Sequence, residues 1–255
     1  MNPVALTLFQ MKYVNKAFWR NPTSAFFTFA FPLMFLVIFT ALLGHGEVRV
    51  GGRLVHQSTY YVAAMGAFAV ITACYNNIST TLAFQRDAGV LKRTNGTPLP
   101  GLVYFTAKVL HAMMVAVLLV AITVAFGRLF YDADVPTGAT LARFLVVLAV
   151  GAASFCALGF AISAVIPNAE AAPAVVNATI LPLLFLSGIF IPFGDTTPAW
   201  ITWTARIFPV KHFADGIRAG FVGTTFHWND VLVVAVWGIA GLLFAARFFS
   251  WEPRA

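Results

Sequence analysis

The chain has 255 residues, of which 60% are hydrophobic and only 10% are charged, and its mean hydropathy is +0.85. A water-soluble domain cannot carry this composition, so the sequence predicts an integral membrane protein with no room for a separate soluble catalytic domain. The formal net charge of +7 would suggest a nucleic-acid partner in a soluble protein, but here it is typical of cytoplasmic membrane edges, and we expect no nucleic acid to bind.

Residues 3–20 are the first predicted element, an amphipathic helix. Apolar residues share one helical face at Val4, Leu8, Met11 and Phe18, and cations recur every fourth residue on a neighbouring stripe at Lys12, Lys16 and Arg20. The pattern favours a helix that lies in the membrane interface, and the alternative is a solvated basic stripe beside the first span. The pair Asn21-Pro22 ends this segment.

Charge-free intervals locate the membrane spans, because a charge at the bilayer centre costs about 3 kcal/mol. Six intervals are long enough, and they predict transmembrane helices at about 25–43, 60–84, 106–126, 141–166, 173–190 and 230–248. The first run is too long for a signal peptide and should remain as a span. The last run reaches the required length of about 20 residues only if Arg247 extends to the interface and Trp228 and Trp251 lie at the two membrane surfaces.

Six spans place both termini on the same side of the membrane, so the cations of alternate connections can be compared. The 16 Lys and Arg residues divide into nine on the side of the termini and seven on the opposite side. By the positive-inside rule this difference favours cytoplasmic termini. The sequence therefore predicts an all-α, multi-pass membrane protein that forms a single domain over residues 1–255.

The connection between the second and third spans, residues 85–100, contains the densest charge cluster of the chain. Its first part reads Gln85, Arg86, Asp87, Ala88, Gly89, Val90, Leu91, Lys92 and Arg93, and turn-forming Asn, Gly and Pro residues follow. One interpretation is a short cytoplasmic helix that docks on a partner, with ion pairs outside and Val90 and Leu91 as an apolar contact. The other is a solvated loop that only satisfies the positive-inside rule.

Polar side chains interrupt the second and fifth spans. The candidates for a substrate pathway are Tyr75, Asn76, Asn77 and Thr80 in the second span, near Ser79 and Thr81, and Asn177 and Thr179 in the fifth. Polar groups at this depth need partners inside the protein. They could join helices through hydrogen bonds worth about 0.6–2 kcal/mol each, or they could line a translocation path, and the sequence leaves both interpretations open.

Residues 188–218 are too apolar for a free loop and too interrupted for one helix. Gly188, Pro192, Pro198 and Pro209 break the helical pattern, while Trp200 and Trp203 suit a membrane interface. We predict two short helices that re-enter the membrane or lie on its outer surface. Membrane physics tolerates such a segment only where its backbone is buried in protein or lines a cavity.

Catalytic and metal-binding signatures are absent from the sequence, which has no phosphate-binding GxxxxGK(S/T) loop, no HExxH or GxSxG motif and no pair of intramembrane acids. Cys74 and Cys156 lack a CxxC spacing and are interpreted as core residues. His111, beside Lys108, is interpreted as an interfacial or packed histidine rather than a proton relay. The sequence therefore predicts no catalytic residue, no metal and no cofactor in this chain, and any nucleotide chemistry must come from another chain.

Three groups of motifs point to a known family. They are Arg20-Asn21-Pro22 before the first span, Gln85-Arg86-Asp87-Ala88-Gly89 leading to Thr97-Pro98-Leu99, and Ser187 to Pro192 followed by Pro198-Ala199-Trp200, Pro209 and Asp215-Gly216-Ile217-Arg218. With these motifs the chain resembles, over nearly its whole length, the six-span permease subunits of bacterial type-2 ATP-binding-cassette exporters, particularly the daunorubicin-resistance-like branch. The family's loop usually begins with an acid, where this chain has Gln85, and keeps a second acid, which is Asp87 here.

The resemblance implies roles for the unusual segments. Residues 85–93 look like a coupling helix seated in a groove of a separate ATPase subunit, and residues 3–20 look like the family's connecting helix along the inner leaflet. Residues 188–218 look like the outer re-entrant helices that help to close the pathway. Their candidate outer-gate residues are Gly188, Phe190, Pro192, Trp200 and Pro209.

The resemblance also implies partners, a location and a substrate class. Two permeases, either two copies of this chain or this chain and a sister permease, would form the core above two ATPase subunits that bind ATP and Mg, in contact with lipid of the bacterial cytoplasmic membrane. The excess of 26 Phe over 6 Tyr favours a hydrophobic or amphipathic substrate, such as a drug or a lipid-like compound. The alternatives are an exporter of a glycan or lipid-linked saccharide and a membrane scaffold subunit without transport.

Overall fold

The computed structural model describes residues 2–43, 46–50, 52–193 and 197–252. Its elements, in chain order, are α1 (Pro3–Trp19), α2 (Pro22–Leu43), β1 (Glu47–Val50), β2 (Arg53–His56), α3 (Gln57–Ile71), a π-helical turn (Thr72–Asn76), α4 (Asn77–Asp87), α5 (Val90–Asn95), α6 (Gly101–Tyr131), α7 (Gly138–Ser163), α8 (Ala172–Phe185), α9 (Ala199–Ile207), α10 (Pro209–Val222) and α11 (Trp228–Phe248). Five helices of the described chain are long and apolar enough to cross a membrane: Pro22–Leu43, Gln57–Asp87, Gly101–Tyr131, Gly138–Ser163 and Trp228–Phe248.

Two asparagines set the beginnings of the first two helices. The Asn2 side chain accepts a hydrogen bond from the Val4 backbone N–H (3.2 Å), and Asn21 Oδ1 accepts one from the Ser24 N–H (3.2 Å). Proline follows each asparagine, at a helix position where no backbone donor is needed. The chain therefore ends α1 and starts α2 at the Asn21-Pro22 break.

The helix Gln57–Asp87, here called the central helix, comprises α3, the π-helical turn and α4. It packs against α2, α6, α7 and α10, and 14 of the 15 residues of α3 are buried. Its small residues explain this position, since Ala63, Ala64, Gly66, Ala67 and Ala69 allow neighbouring helices to approach on every side. The second predicted span is thus the core of the bundle.

The contact between α7 and α11 depends on a glycine. A Cβ atom added to Gly238 would lie 2.5 Å from Ser154 Oγ and 2.8 Å from Ser154 Cα. Only a residue without a side chain fits at this distance, so the two helix backbones approach closely. Small residues of this kind are the usual basis of helix packing in membranes.

The fifth predicted span, residues 173–190, is shorter in the structure. Helix α8 ends at Phe185, and at about 1.5 Å per residue its 14 residues extend about 21 Å, less than the roughly 30 Å of a hydrocarbon core. Gly188 follows with φ +75°, a left-handed conformation that ends the helical path. The charge-free interval predicts a longer helix than the one that forms, because the spacing of charges carries no information about the backbone break at Gly188.

The prediction of an all-helical chain misses a β-hairpin. Strands β1 and β2 pair antiparallel, with Glu47 opposite His56 and Val50 opposite Arg53. The signal is present in the alternation of charged and apolar residues from Glu47 to Val50, which is the period of a strand. The hairpin lies in the connection between the first two long helices.

Contacts between connections define two ends of the bundle. At one, here called the α5 end, Lys92 Nζ of α5 lies 3.2 Å from Glu252 Oε1, and α1 packs against the first half of α6, where the rings of Phe18 and His111 meet. At the other, here called the hairpin end, Arg53 Nη1 donates to the Val222 carbonyl oxygen (3.2 Å) and Thr59 Oγ1 accepts from the Asp134 N–H (3.0 Å). The described N-terminal and C-terminal segments therefore lie at the same end.

Candidate functional site

The expected coupling segment is a corner between α4 and α5. Gln85 Oε1 accepts a hydrogen bond from the Tyr104 hydroxyl of α6 (2.7 Å). Ala88 and Gly89 then turn the chain, with Gly89 at φ +69°, which glycine adopts without strain. Helix α5 begins at Val90. The segment is a turn between two helices, and the hydrogen bond from Tyr104 to Gln85 connects it to α6.

Two charged residues of this corner point into the protein. Arg86 is only 1% exposed, and its guanidinium donates to the carbonyl oxygens of Ser163 (2.9 Å) and Ile166 (2.5 Å). Asp87 Oδ2 accepts a hydrogen bond from the Ala169 backbone N–H (2.5 Å). The interpretation of this segment as having its ion pairs outside is therefore corrected for both residues. They bind backbone groups that the end of α7 and the start of α8 leave without helical partners.

The surface that remains for a partner is smaller than the nine-residue segment. Ala88, Lys92 and Arg93 are exposed, Gly89 and Val90 are partly buried, and Leu91 is fully buried. Leu91 is thus a core residue and not the apolar contact expected for a partner. The exposed patch, here called the α5 surface, consists of Ala88, Gly89, Val90, Lys92 and Arg93.

Helix α1 exposes its cationic stripe and also much of its apolar surface. The exposed residues include Lys12, Lys16 and Arg20 together with Val4, Leu8, Phe9, Tyr13 and Trp19. On its inner side, the Phe18 ring meets the His111 ring of α6 edge-on, with centroids 5.3 Å apart. Exposed apolar groups beside cations suit a helix that lies in a membrane interface.

A cavity of about 370 Å³, here called the apolar chamber, lies beside the polar part of the central helix. Tyr75 and Thr179 line it, with their hydroxyl oxygens 2.7 Å apart, and its other walls are mainly apolar side chains of α7, α8, α10 and α11. Tyr75 belongs to the π-helical turn, and such turns are frequent at functional sites. The polar groups of the second and fifth predicted spans thus meet in an apolar surrounding.

The other candidate pathway residues do not join this chamber. Asn76 Oδ1 is buried without a hydrogen-bond partner among the described residues, and Thr80 Oγ1 donates to the Asn76 carbonyl oxygen within the same helix (2.7 Å). Asn77 lines a separate polar cavity beside α1, and Asn177 is exposed on α8. Of the six candidates, the structure joins Tyr75 with Thr179.

A buried arginine to which the sequence assigned no individual role holds the connection after α8. Arg218 is 5% exposed and donates to the Gly188 carbonyl oxygen (2.8 Å), the Tyr60 hydroxyl (2.7 Å) and Asp215 Oδ1 (2.5 Å), while the Tyr60 hydroxyl also donates to the Gly188 carbonyl oxygen. Lys211 Nζ lies 2.8 Å from the same Asp215 oxygen, so this carboxylate contacts two cations. The signal in the sequence was the spacing of Asp215 and Arg218, which places both on one helix face.

The five predicted outer-gate residues lie in different environments. Gly188, Phe190 and Pro209 are buried, Pro192 is partly buried and Trp200 is exposed. The Phe190 ring packs within 5.7 Å, centroid to centroid, of the rings of Phe35, Phe39, Phe68 and Phe185. The structure thus buries Gly188 and Phe190 near the hairpin end, buries Pro209 at the start of α10 and leaves Trp200 on the surface.

The turn between α9 and α10 lies against the middle of α11. Trp237 Nε1 donates to the Ile207 carbonyl oxygen (3.1 Å), and Trp237 is the tenth of the 21 residues of α11. Arg218, near the other end of α10, binds Gly188 at the hairpin end. Helix α10 therefore returns from mid-depth toward the hairpin end.

Metal-binding clusters and cysteine thiols are two further kinds of candidate site. Among the described residues, no group of three or more His, Cys, Asp or Glu side chains could hold a metal ion. Cys74 and Cys156 are buried free thiols in the core.

Comparison with known proteins identifies the family. Residues 7–222 match the family model described as ABC-2 type transporter. The protein named "Putative transport permease YvfS" of Bacillus subtilis is 22% identical over 215 residues, which are 84% of this chain and 85% of that protein. The "Daunorubicin resistance ABC transporter permease protein DrrB1" of Streptomyces coeruleorubidus is 26% identical over 237 residues, 91% of this chain and 81% of that protein.

A third relative matches over a shorter region. The "Probable multidrug ABC transporter permease YbhR" of Escherichia coli is 28% identical over 137 residues, which are 54% of this chain and 36% of that protein. The resemblance that the motifs indicated is confirmed by the match of the family model across α1 to α10. The chain belongs to the ABC-2 type transporter family of membrane permeases.

Proposed function

We propose that this protein is the permease subunit of an ATP-driven exporter of hydrophobic or amphipathic compounds, and that ATP and Mg bind to a separate ATPase subunit. The observation that carries the proposal is the attachment of Arg86 and Asp87 to the connection between α7 and α8. This attachment joins the α5 surface, where an ATPase subunit can push, to the helices that line the apolar chamber.

The central helix supplies the mechanical link. It runs from Gln57 to Asp87 as one helix, and the turn at Ala88 and Gly89 joins it to α5, so we expect a displacement of α5 to move the helix that carries Tyr75. Asp87 holds Ala169, three residues before α8, which carries Thr179. A partner that contacts α5 differently in its two nucleotide states therefore changes the relation between two walls of the chamber.

We further propose six membrane crossings. The fifth consists of α8 and the residues after it, because Asp87 binds Ala169 at the α5 end and Tyr60 binds Gly188 at the hairpin end. An even number of crossings agrees with the described terminal segments lying at one end. The excess of nine cations over seven supports a cytoplasmic location for that end in a bacterial cell, where the α5 surface would meet the ATPase. Helices α9 and α10 then re-enter the membrane from the outside.

The assembly that fits this arrangement contains two permeases, either two copies or this chain and a sister chain, and two ATPase subunits. Apolar side chains remain exposed on α2 and α8, among them Phe26, Phe27, Leu181 and Phe185. Lipid and a second permease are the partners whose chemistry suits such surfaces. Relatives named as multidrug and daunorubicin-resistance permeases and the apolar walls of the chamber both support a hydrophobic substrate.

The test changes exposed charges on the α5 surface and compares the result with the same change at exposed positions elsewhere. Lys92→Glu with Arg93→Glu reverses two exposed charges on α5, and Arg49→Glu with Arg128→Glu makes the same charge change on exposed residues nearer the hairpin end. Each tagged variant is co-expressed with the partner ATPase subunit, reconstituted in vesicles and assayed for drug transport and ATP hydrolysis. We expect the first variant to lose ATPase recovery and transport at least tenfold while the second retains both.

Other outcomes reject the proposal in different ways. Equal transport by the two double variants shows that α5 is not the docking surface. Stable recovery of a cytoplasmic partner without ATPase activity indicates a scaffold subunit instead. Transport of a lipid-linked saccharide but of no apolar drug overturns the substrate class and leaves the coupling intact.

A further inference from the structure

A polar cavity of about 430 Å³ lies at the α5 end, between α1, the end of the central helix and the first half of α6. Its polar lining includes Asn77, Thr81, Gln85, Tyr104, Lys108 and His111. It is separate from the apolar chamber, since the two share none of the residues that line them. Val90 and Thr94 of α5 also line this cavity, so it borders the α5 surface, but the proposed transport cycle assigns no ligand to it.

Two residues of α6 that line the cavity have polar groups without a hydrogen-bond or ion-pair partner among the described residues. Lys108 is 7% exposed and makes no ion pair or hydrogen bond among the described residues, its nearest favourable contact being the Tyr104 ring at 5.1 Å. His111 is 5% exposed, and both its ring nitrogens are buried without a hydrogen-bond partner there. No carboxylate is among the described residues that line the cavity. Buried cations and ring nitrogens are costly unless an anion or an acceptor meets them.

The two side chains are arranged to act together. Lys108 and His111 are three residues apart on α6, so they lie on one helix face and open into the same cavity. Together they place a mostly buried ammonium group and a buried imidazole ring in the wall of the cavity. A group with several acceptor oxygens and a negative charge, such as a phosphate, matches both.

An apolar groove of about 490 Å³ adjoins this cavity. Trp19, Pro22, Phe26, Phe29, Ala30 and Leu33 line it along the junction of α1 and α2. Phe18, which lines the polar cavity, lies 6.4 Å from Phe29 between ring centroids, and Trp19 stacks on Phe29 at 5.8 Å. A polar, cationic cavity and an apolar groove therefore meet across one aromatic wall, beside an amphipathic helix.

We propose that these two spaces form a binding site for an anionic phospholipid. The phosphate-bearing headgroup occupies the polar cavity against Lys108 and His111, and one acyl chain lies along the groove between α1 and α2. The lipid thereby bridges α1 and α6 on the cytoplasmic side. A free phosphate satisfies the cavity alone, whereas only a lipid uses the groove as well.

The test uses the purified full-length chain in mild detergent without an ATPase subunit, so its result does not depend on transport. Native mass spectrometry measures the retention of phosphatidylglycerol and of phosphatidylcholine with the same acyl chains. We expect the wild-type chain to retain phosphatidylglycerol at least tenfold more tightly, Lys108→Met to lose most of this preference, and Lys108→Arg to keep it. Lys16→Met removes an exposed cation of α1 and serves as the matched control, with the preference unchanged.

A second variant tests the groove and does not touch the cation. Ala30→Trp fills the groove and should weaken phosphatidylglycerol retention several-fold with Lys108 intact. Equal retention of both lipids by the wild-type chain, or an unchanged preference in Lys108→Met, overturns the proposal. Displacement of the lipid by inorganic phosphate at equal molar concentration, with no effect of Ala30→Trp, identifies a free anion as the ligand and overturns the lipid assignment.

Discussion

Arg86 Nη1, in the last turn of the central helix, donates a hydrogen bond to the carbonyl oxygen of Ser163, the last residue of α7 (2.9 Å). The last carbonyl groups of a helix have no intrahelical donors and carry partial negative charge, so a buried guanidinium satisfies them and gains from the helix dipole. Because Ile166 and Pro167 accept from the same side chain, one residue closes the end of α7 against the central helix.

Replacement of Arg86 should therefore damage the fold before it damages any docking. Arg86→Ala removes hydrogen bonds from a charged donor, each worth about 1.5–3 kcal/mol, and leaves the buried carbonyl oxygens without that donor. We expect a marked loss of thermal stability and of monodisperse protein in detergent, measured by size exclusion with a temperature ramp. Lys92→Ala, at an exposed position of the same corner, should leave stability within about 0.5 kcal/mol. Equal stability of the two variants contradicts the structural role.

Arg218 and Tyr60 make a second, graded prediction. Arg218→Met leaves the carbonyl oxygens of Ser187 and Gly188 without their donor and Asp215 without its closest cation, so we expect a loss of several kcal/mol and poor recovery of folded protein. Tyr60→Phe removes one hydroxyl from the same network, and we expect about 1–2 kcal/mol from that change. The comparison is made by thermal unfolding in detergent. A larger effect of Tyr60→Phe than of Arg218→Met contradicts the network as described.

Long helices could be predicted from the sequence because the cost of a charge in the bilayer outweighs local preferences. The prediction of 230–248 corresponds to Trp228–Phe248, whereas 106–126 corresponds to Gly101–Tyr131. Helical hydrogen bonding continues beyond the apolar stretch, so the counting of charge-free residues underestimates such helices. The same method does not register backbone breaks, and this is the reason that α8 ends before the predicted residue 190.

The partners of polar residues could not be predicted in this way. Arg86 and Ile166 are 80 residues apart, and Tyr75 and Thr179 are 104 apart. A charge cluster beside a span has the same appearance in the sequence whether it faces a partner or the protein's own helix ends. The cavity that Asn77 and Lys108 both line could not be predicted from the sequence either, because it depends on how α1 lies against α6. Periodicity indicates which face of a helix is apolar, but it does not identify the helix that covers that face.

Two glycine variants test the close approach of α7 and α11. Gly238→Ala places a Cβ atom 2.5 Å from Ser154 Oγ and 2.7 Å from Ser154 Cβ, so the helices must separate, at a cost of about 1–3 kcal/mol. Gly66→Ala is the matched control, since no atom lies within 4 Å of its added Cβ and alanine is the better helix former. Thermal unfolding in detergent should show a lower midpoint for Gly238→Ala and an equal or higher midpoint for Gly66→Ala. A stable Gly238→Ala protein indicates that the helices are farther apart than described.

The apolar chamber can be tested by filling it. Leu183 lines the chamber from α8. The larger side chain of Leu183→Trp fills part of its volume of about 370 Å³ without changing the charge. If substrates pass through the chamber, transport of bulky amphipathic drugs should fall at least tenfold, while ATP hydrolysis of the assembled complex without drug stays near the wild-type rate. The control Leu118→Trp makes the same change at an exposed position of α6, and we expect transport to be retained. Because Tyr75 and Thr179 supply the two hydroxyl groups among the described residues of this apolar lining, Tyr75→Phe should shift the relative rates among drugs rather than abolish export. Equal transport by Leu183→Trp and Leu118→Trp shows that the pathway lies elsewhere, and the Tyr75–Thr179 contact is then a packing contact between the central helix and α8.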